Sequence, residues 1–142
     1  MTNVLIVEAR FYEDLADELV KGAIAALEAA GIGYERVAVP GAFEIPAAIA
    51  FAARSDRFAG YIALGCVIRG ETTHYDYVCG ESARGLQDLA IQRNLAIGYG
   101  ILTCENGEQA WARASVAKKN KGKDAAEACL AMIALKQRFG LA

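Results

Sequence analysis

A single histidine stands among 142 residues, so any proton transfer by an imidazole has one place to happen. His74 lies in the run Gly65-Cys66-Val67-Ile68-Arg69-Gly70-Glu71-Thr72-Thr73-His74-Tyr75-Asp76-Tyr77. That run sets the end of a strand, a glycine turn and the hydroxyls of Thr72 and Thr73 ahead of a helix. Imidazole can both take and give a proton near neutral pH. Backbone N–H groups and threonine hydroxyls at a helix start form a cradle for an anion. The other reading of His74 is a capping or interface histidine.

Phe11 and Phe43 each fall just past a strand-like stretch, where an aromatic ring can stack on a flat heterocycle. They could instead pack beneath their loops. Glu44, beside Phe43, could accept hydrogen bonds from ligand hydroxyls or serve as a first-turn acid stabilised by the helix dipole. Arg113 offers the planar fork that suits phosphate, although a solvated helix arginine would look the same. Lys121, in Asn120-Lys121-Gly122, is either a solvated loop charge or a second phosphate partner. Trp111 reads as core or subunit contact.

These residues need elements to hold them, and the chain alternates strand-like and helix-like stretches with little to spare. Val4 to Val7 is a short apolar run suited to a strand buried on both faces. From Asp14 to Ala30, Leu15, Leu19, Ala23 and Leu27 recur on one helical face, and Gly31 ends the helix. Tyr34 to Val39 predicts the second strand, Ile45 to Arg54 a helix with Pro46 in its first turn, and Gly60 to Val67 the third strand. A loop from Arg69 to His74 leads to a helix from about Asp76 to Arg93, then a strand from Ile97 to Thr103. Asn106 and Gln109 form a capping-box pair opening a helix that carries Trp111 and fades near Lys118, and Asp124 caps a last helix. The order βαβαβαβαα predicts a four-stranded parallel sheet flanked by helices, with ligands beyond the carboxyl ends of the strands.

Composition narrows the function classes. The net charge is −2 and only Lys118 to Lys123 forms a basic run, which argues against nucleic acid as a partner. Cys66, Cys79, Cys104 and Cys129 are far apart and form no CxxC pair, so they read as reduced, buried thiols of a cytoplasmic protein rather than a metal or disulfide framework. The start, Met1 to Glu8, has no basic region before a long apolar run, and no membrane span is expected. Hydrophobic residues reach 55% in so short a chain, which favours an oligomer over a monomer. One domain covers residues 1–142.

Taken in order, three segments resemble the lumazine synthase family: Val39 to Pro46, Gly65 to Cys79, and Gly100 to Asn106 leading to Gln109-Ala110. The resemblance implies an α/β, three-layer flavodoxin-like sandwich and a cofactor-free, metal-free condensation of 5-amino-6-ribitylaminouracil with 3,4-dihydroxy-2-butanone 4-phosphate. The products would be 6,7-dimethyl-8-ribityllumazine, phosphate and water. It implies that His74 moves protons and Phe11 stacks on the pyrimidine. Ala42, Phe43 and Glu44 would line the pyrimidine and ribityl pocket, and Cys66, Val67 and Ile68 would present backbone groups to the pyrimidine edge. Glu71 and Thr72 would bind the phosphate. Arg113 and Tyr99 would arrive from an adjacent subunit, and Lys121 from the phosphate-side loop. Homo-oligomerisation is implied, as is riboflavin synthase as a possible partner.

The chain departs from that pattern at Tyr12, where many members have asparagine. Few residues precede the first strand, and Ser115 to Lys119 lacks the glycine-containing pattern of icosahedral members, which favours a pentamer over a 60-subunit shell. The main rival is a non-catalytic binder of riboflavin-like ligands on the same fold. A receiver or flavodoxin module is disfavoured because Glu8-Ala9-Arg10 and Arg10-Phe11-Tyr12 supply neither paired acids nor a hydroxyl-rich loop.

Overall fold

The computed structural model describes residues 3–141; Met1 and Thr2, which open the segment considered for a signal, lie outside them. The elements run β1 (Asn3–Ala9), α1 (Glu13–Ala29), β2 (Gly33–Val39), a 3-10 turn (Ala42–Glu44), α2 (Ile45–Ala53), β3 (Gly60–Ile68), α3 (His74–Arg93), β4 (Ile97–Cys104), α4 (Gly107–Ala114) and α5 (Lys121–Arg138). Every pairing is parallel and the strand order is β2-β1-β3-β4. No helix among the described residues is long and apolar enough to cross a membrane.

Side chains alternate across the central strands, so each strand feeds two cores. Val4, Ile6, Ile62 and Leu64 meet Leu19, Leu27, Ala110, Ala126 and Cys129 from α1, α4 and α5. On the other face Leu5, Val7, Tyr61 and Ala63 meet Ile45, Ile49, Val78 and Leu86 from α2 and α3. The three layers expected from the alternation are present.

Helix α1 ends as its sequence predicts. Gly31 takes a φ of 69°, Gly31 N–H donates to Glu28 O at 3.1 Å and Ile32 N–H donates to Leu27 O at 2.9 Å, which is the paired bonding of a Schellman turn. Helix α5 lies unusually close to its neighbours. A Cβ added to Gly98 would meet Ala125 O at 1.9 Å, and one on Gly122 would meet Leu19 O at 2.0 Å. Glycine at both positions lets α5 settle onto β4 and α1.

Three helix boundaries differ from expectation by two residues or more. Helix α3 begins at His74 rather than near Asp76, so the histidine is its first residue instead of the last of a loop. Helix α4 stops at Ala114, short of Lys118, because Ser115 turns out of helical geometry and Val116 N–H donates to Glu18 Oε1 of α1 at 3.0 Å. Helix α5 begins at Lys121 behind Asn120, whose φ of 48° suits an asparagine, so Asp124 is not the cap. Asp124 instead pairs with Lys121 at 3.4 Å within the first turn.

One charged group sits inside the sheet layer. Glu8 of β1 is 2% exposed and accepts from Arg36 Nε at 2.7 Å, Arg36 Nη2 at 2.9 Å and Arg10 Nη1 at 2.6 Å. The register places Ile6 opposite Arg36, so Arg36 and Glu8 share a face. Burial alone would raise the Glu8 carboxyl, but the hydrogen bonds and charges of Arg36 and Arg10 together outweigh it and hold it below its ordinary 4.5. A carboxyl lowered on folding contributes stability that is present above its unfolded value and lost as pH falls through its folded value. Glu8→Gln is therefore expected to be about 2–3 kcal/mol less stable at pH 7, with the gap to the parent closing below about pH 4. Urea unfolding at both pH values checks this; a gap independent of pH would contradict it.

Candidate active site

The strand order reverses direction between β1 and β3, where a doubly wound sheet opens a crevice at its carboxyl edge. Pairing between β1 and β3 ends at Glu8 with Leu64, whereas β3 stays paired with β4 as far as Ile68 with Cys104. Residues Gly65 to Ile68 thus have one edge bonded to β4 and the other edge open. Backbone N–H and C=O groups on that open edge need partners, which is what a flat heterocycle with alternating donors and acceptors supplies.

A cavity of about 530 Å³ sits in this crevice. Phe11 follows β1, Ala42, Phe43 and Glu44 follow β2, Cys66, Val67 and Ile68 end β3, and His74 opens α3; all eight line it. Phe11 is 74% exposed and Phe43 54% exposed, so neither packs beneath its loop. Large apolar rings left in water at a cavity mouth fit a stacking role. The 3-10 turn that carries Phe43 is closed by Glu44 N–H donating to Gly41 O at 3.1 Å.

Glu71 and Thr72 lie on the exposed loop ahead of α3 and do not border the cavity. Thr72 Oγ1 accepts from the backbone N–H of His74 at 3.3 Å, which ties the hydroxyl to the first turn of a 20-residue helix. The loop is held from behind by Arg69. Its Nε donates to Glu105 Oε1 at 2.8 Å, its guanidinium lies 4.3 Å from the Tyr75 ring centroid, and its backbone N–H donates to Cys104 O at 2.9 Å. The result is a short, tethered segment with threonine hydroxyls at a positive helix end.

Tyr99, Arg113 and Lys121 are somewhere else. They line a second cavity of about 410 Å³ along edge strand β4, with Thr103, Asp124 and Ala125 among its other walls. Among the described residues none lines both cavities. Arg113 Nη1 donates to Gln109 O at 3.1 Å, one turn back on its own helix, and Lys121 belongs to α5 rather than to a loop. Within one chain, then, the two phenylalanine rings and the imidazole are together, and Tyr99 and the cations are not with them. The capping box that opens α4 is formed: Asn106 Oδ1 accepts from Gln109 N–H at 2.8 Å, while Gln109 Oε1 reaches one residue further back, to Glu105 N–H, at 2.8 Å.

Comparison with known proteins agrees along the whole chain. The model of the 6,7-dimethyl-8-ribityllumazine synthase family matches residues 1–137. The chain belongs to that family. A lumazine synthase from Bartonella tribocorum is 60% identical over 139 residues, covering 97% of this chain and 92% of that protein. One from Sphingopyxis alaskensis is 59% identical over 141 residues, covering 99% of each. A Rhizobium meliloti relative, 6,7-dimethyl-8-ribityllumazine synthase 1, is 57% identical over 143 residues, covering 97% of this chain and 94% of its own length.

Tyr12, where the resemblance implies asparagine, directly precedes α1. It lines the first cavity and meets Phe11 edge-on, with centroids 4.9 Å apart and planes at 78°. It stands at the N-cap of α1 without a side-chain capping bond, a task asparagine could have performed. Pro40, Gly41 and Val78 also line the cavity and were not singled out from sequence. Val78 was within reach, since it falls one turn after His74 on the same helix face.

The cysteines are all free, but only Cys104 and Cys129 are buried; Cys66 and Cys79 are half-buried, contrary to expectation. Cys66 borders the cavity, and burial, with smaller contributions from Cys104, pushes its thiol up to about 12. It therefore stays protonated through neutral pH and is no nucleophile. Cys66→Ser is expected to keep turnover within about threefold, since only the thiolate would be chemically competent. Steady-state rates check this, and loss of turnover would restore Cys66 as a reacting group.

Proposed function

We propose that the chain is one subunit of a 6,7-dimethyl-8-ribityllumazine synthase, condensing 5-amino-6-ribitylaminouracil with 3,4-dihydroxy-2-butanone 4-phosphate. The observation that carries this reading is the first cavity. It combines two exposed phenylalanine rings, an open strand edge, a carboxylate and the chain's one histidine, in a member of that family. The uracil ring stacks on Phe11 with its edge against the free backbone groups of Cys66, Val67 and Ile68. Ala42 and Phe43 wall the pocket, and Glu44 accepts from ribityl hydroxyls.

The chemistry is a sequence of proton transfers. The uracil's 5-amino group adds to the ketone and water leaves to give an imine; loss of the C3 proton and of phosphate from C4 then leaves an enol, which takes up a proton at C4 and becomes a second carbonyl at C3. The ribitylamine nitrogen closes the ring onto the second carbonyl with loss of another water. His74, at the cavity wall, takes and returns protons in these steps. Glu71 and Thr72 receive the phosphate at the start of α3, where N–H groups and the helix dipole favour an anion.

The phosphate still needs cations, and Arg113 and Lys121 line the other cavity. The site is complete when edge strand β4 of one subunit, with Tyr99, Arg113 and Lys121, lies against the first cavity of the next. Phe51, Tyr77, Ile91 and Trp111, all large and solvent-exposed in the lone chain, supply apolar surface for such contacts. A head-to-tail arrangement of this kind closes into a ring, and the assembly is a homopentamer of one-domain subunits. It works in the cytoplasm, with riboflavin synthase as the protein that takes up its product.

Much of the acceleration comes from holding two reactants together, so no single group carries all of it. His74→Ala is expected to lower kcat about 10- to 100-fold without abolishing turnover. Arg113→Ala is expected to raise KM for the phosphate substrate about tenfold while leaving the pyrimidine KM nearly unchanged. Assays with both substrates check these effects, and a His74→Ala rate equal to the parent's would remove the proton-transfer role.

A further inference from the structure

Phe11 must present its ring to the cavity, yet almost nothing holds that ring. It is 74% exposed, and its one aromatic contact among the described residues is the edge-on meeting with its neighbour Tyr12. Where the ring sits is decided by the short backbone turn between β1 and α1. A freely moving turn would have to be ordered each time a heterocycle bound, which costs affinity.

Arg10 clamps that turn from both sides. Its backbone N–H donates to Val39 O at 3.4 Å, one residue beyond the last β1–β2 pair, Ala9 with Val39. Its guanidinium then reaches three carboxylates: Nη1 meets Glu8 Oε1 of β1 at 2.6 Å, Nε meets Glu13 Oε2 of α1 at 3.0 Å, and Nη2 meets Asp17 Oδ1 one turn further along α1. Glu8 is itself fixed by the fork of Arg36 on β2. The cluster joins β2, β1 and the first two turns of α1, and Arg10 is not among the residues lining the cavity.

We propose that Arg10 is a positioning residue: by pinning β1 to α1 through Glu8, Glu13 and Asp17, it holds Phe11 ready to stack on the pyrimidine substrate. A planar fork can satisfy several acids at once, whereas a lysine ammonium in its place is a point charge on a flexible stem. Arg10→Lys should therefore restore the function only in part. The inference rests on the lumazine synthase reading for the identity of the stacked ring.

The test is a double-mutant cycle between Arg10→Gln and Phe11→Ala, read by fluorescence titration with 6,7-dimethyl-8-ribityllumazine and by the KM of each substrate. Arg10→Gln alone is expected to weaken lumazine binding and raise the pyrimidine KM about tenfold, with the phosphate-substrate KM within about twofold of the parent. In the Phe11→Ala background the same change should cost nothing further, because there is no ring left to position. An equal penalty in both backgrounds, or no penalty in either, would overturn the proposal. If Arg10→Gln does not assemble, Asp17→Asn, at the exposed end of the clamp, is run through the same cycle with the same two readings. A parent protein that neither binds the lumazine nor turns over would instead sink the assignment of the reaction, leaving the two failures distinguishable.

Discussion

Strands β1 and β3 stay paired only as far as Glu8 and Leu64, and β3 continues for four more residues, Gly65 to Ile68, with an open edge. That parting is forced by topology. After β1 the chain turns to α1 on one face of the sheet, whereas after β3 it turns to α3 on the other. The crevice between the departing segments cannot be filled by either. The side chains that meet in that crevice come from the segments leaving the strands: Phe11 after β1, Phe43 and Glu44 after β2, His74 after β3. The backbone polar groups along the open edge favour a planar partner with its own donors and acceptors over an apolar one.

A second constraint comes from where the strands end up. With β4 at the edge of the sheet, the residues behind it, Arg113 at the end of α4 and Lys121 at the start of α5, face outward along that edge. They are cationic, and Lys121 stands at a helix N-terminus beside Asp124. Such a cluster suits an anion, but the imidazole and the rings that would work on that anion border the other cavity. On the proposed reading these are two complementary halves on separate surfaces. A subunit assembled with its own kind would bring them together, and oligomerisation is then part of the chemistry instead of an accessory to it. The large exposed side chains Phe51, Tyr77 and Ile91 on α2 and α3 are consistent with that need.

Much of this was legible in the sequence, and for reasons that can be named. Apolar strands buried on both faces and the repeat of Leu15, Leu19, Ala23 and Leu27 gave the layers, since burial leaves a period behind. Eight of the residues singled out for the site line one cavity because residues just past parallel strands converge at a switch point. The boundaries that shifted did so where tertiary contacts compete with local signals. Glu18 captures the N–H of Val116 and ends α4 early, and the left-handed Asn120 starts α5 before Asp124 could cap it. The ion cluster on Glu8 was not foreseen, because pairing Glu8 with Arg36 depends on the β1–β2 register, which no local pattern in either strand specifies.

The central claim is that a working site draws one half from each of two subunits. It is tested most directly by co-refolding equal amounts of His74→Ala and Arg113→Ala subunits and assaying the mixture with the phosphate substrate well below its KM, where both variants alone are slow. A site formed from the first cavity of an Arg113→Ala subunit and the β4 edge of a His74→Ala subunit has both halves intact. Random mixing around a ring makes about a quarter of the interfaces of this kind. The account predicts that activity rises well above the mean of the two separately refolded variants, toward about a quarter of the parent's. Activity equal to that mean would show that each chain carries its whole site and would contradict it.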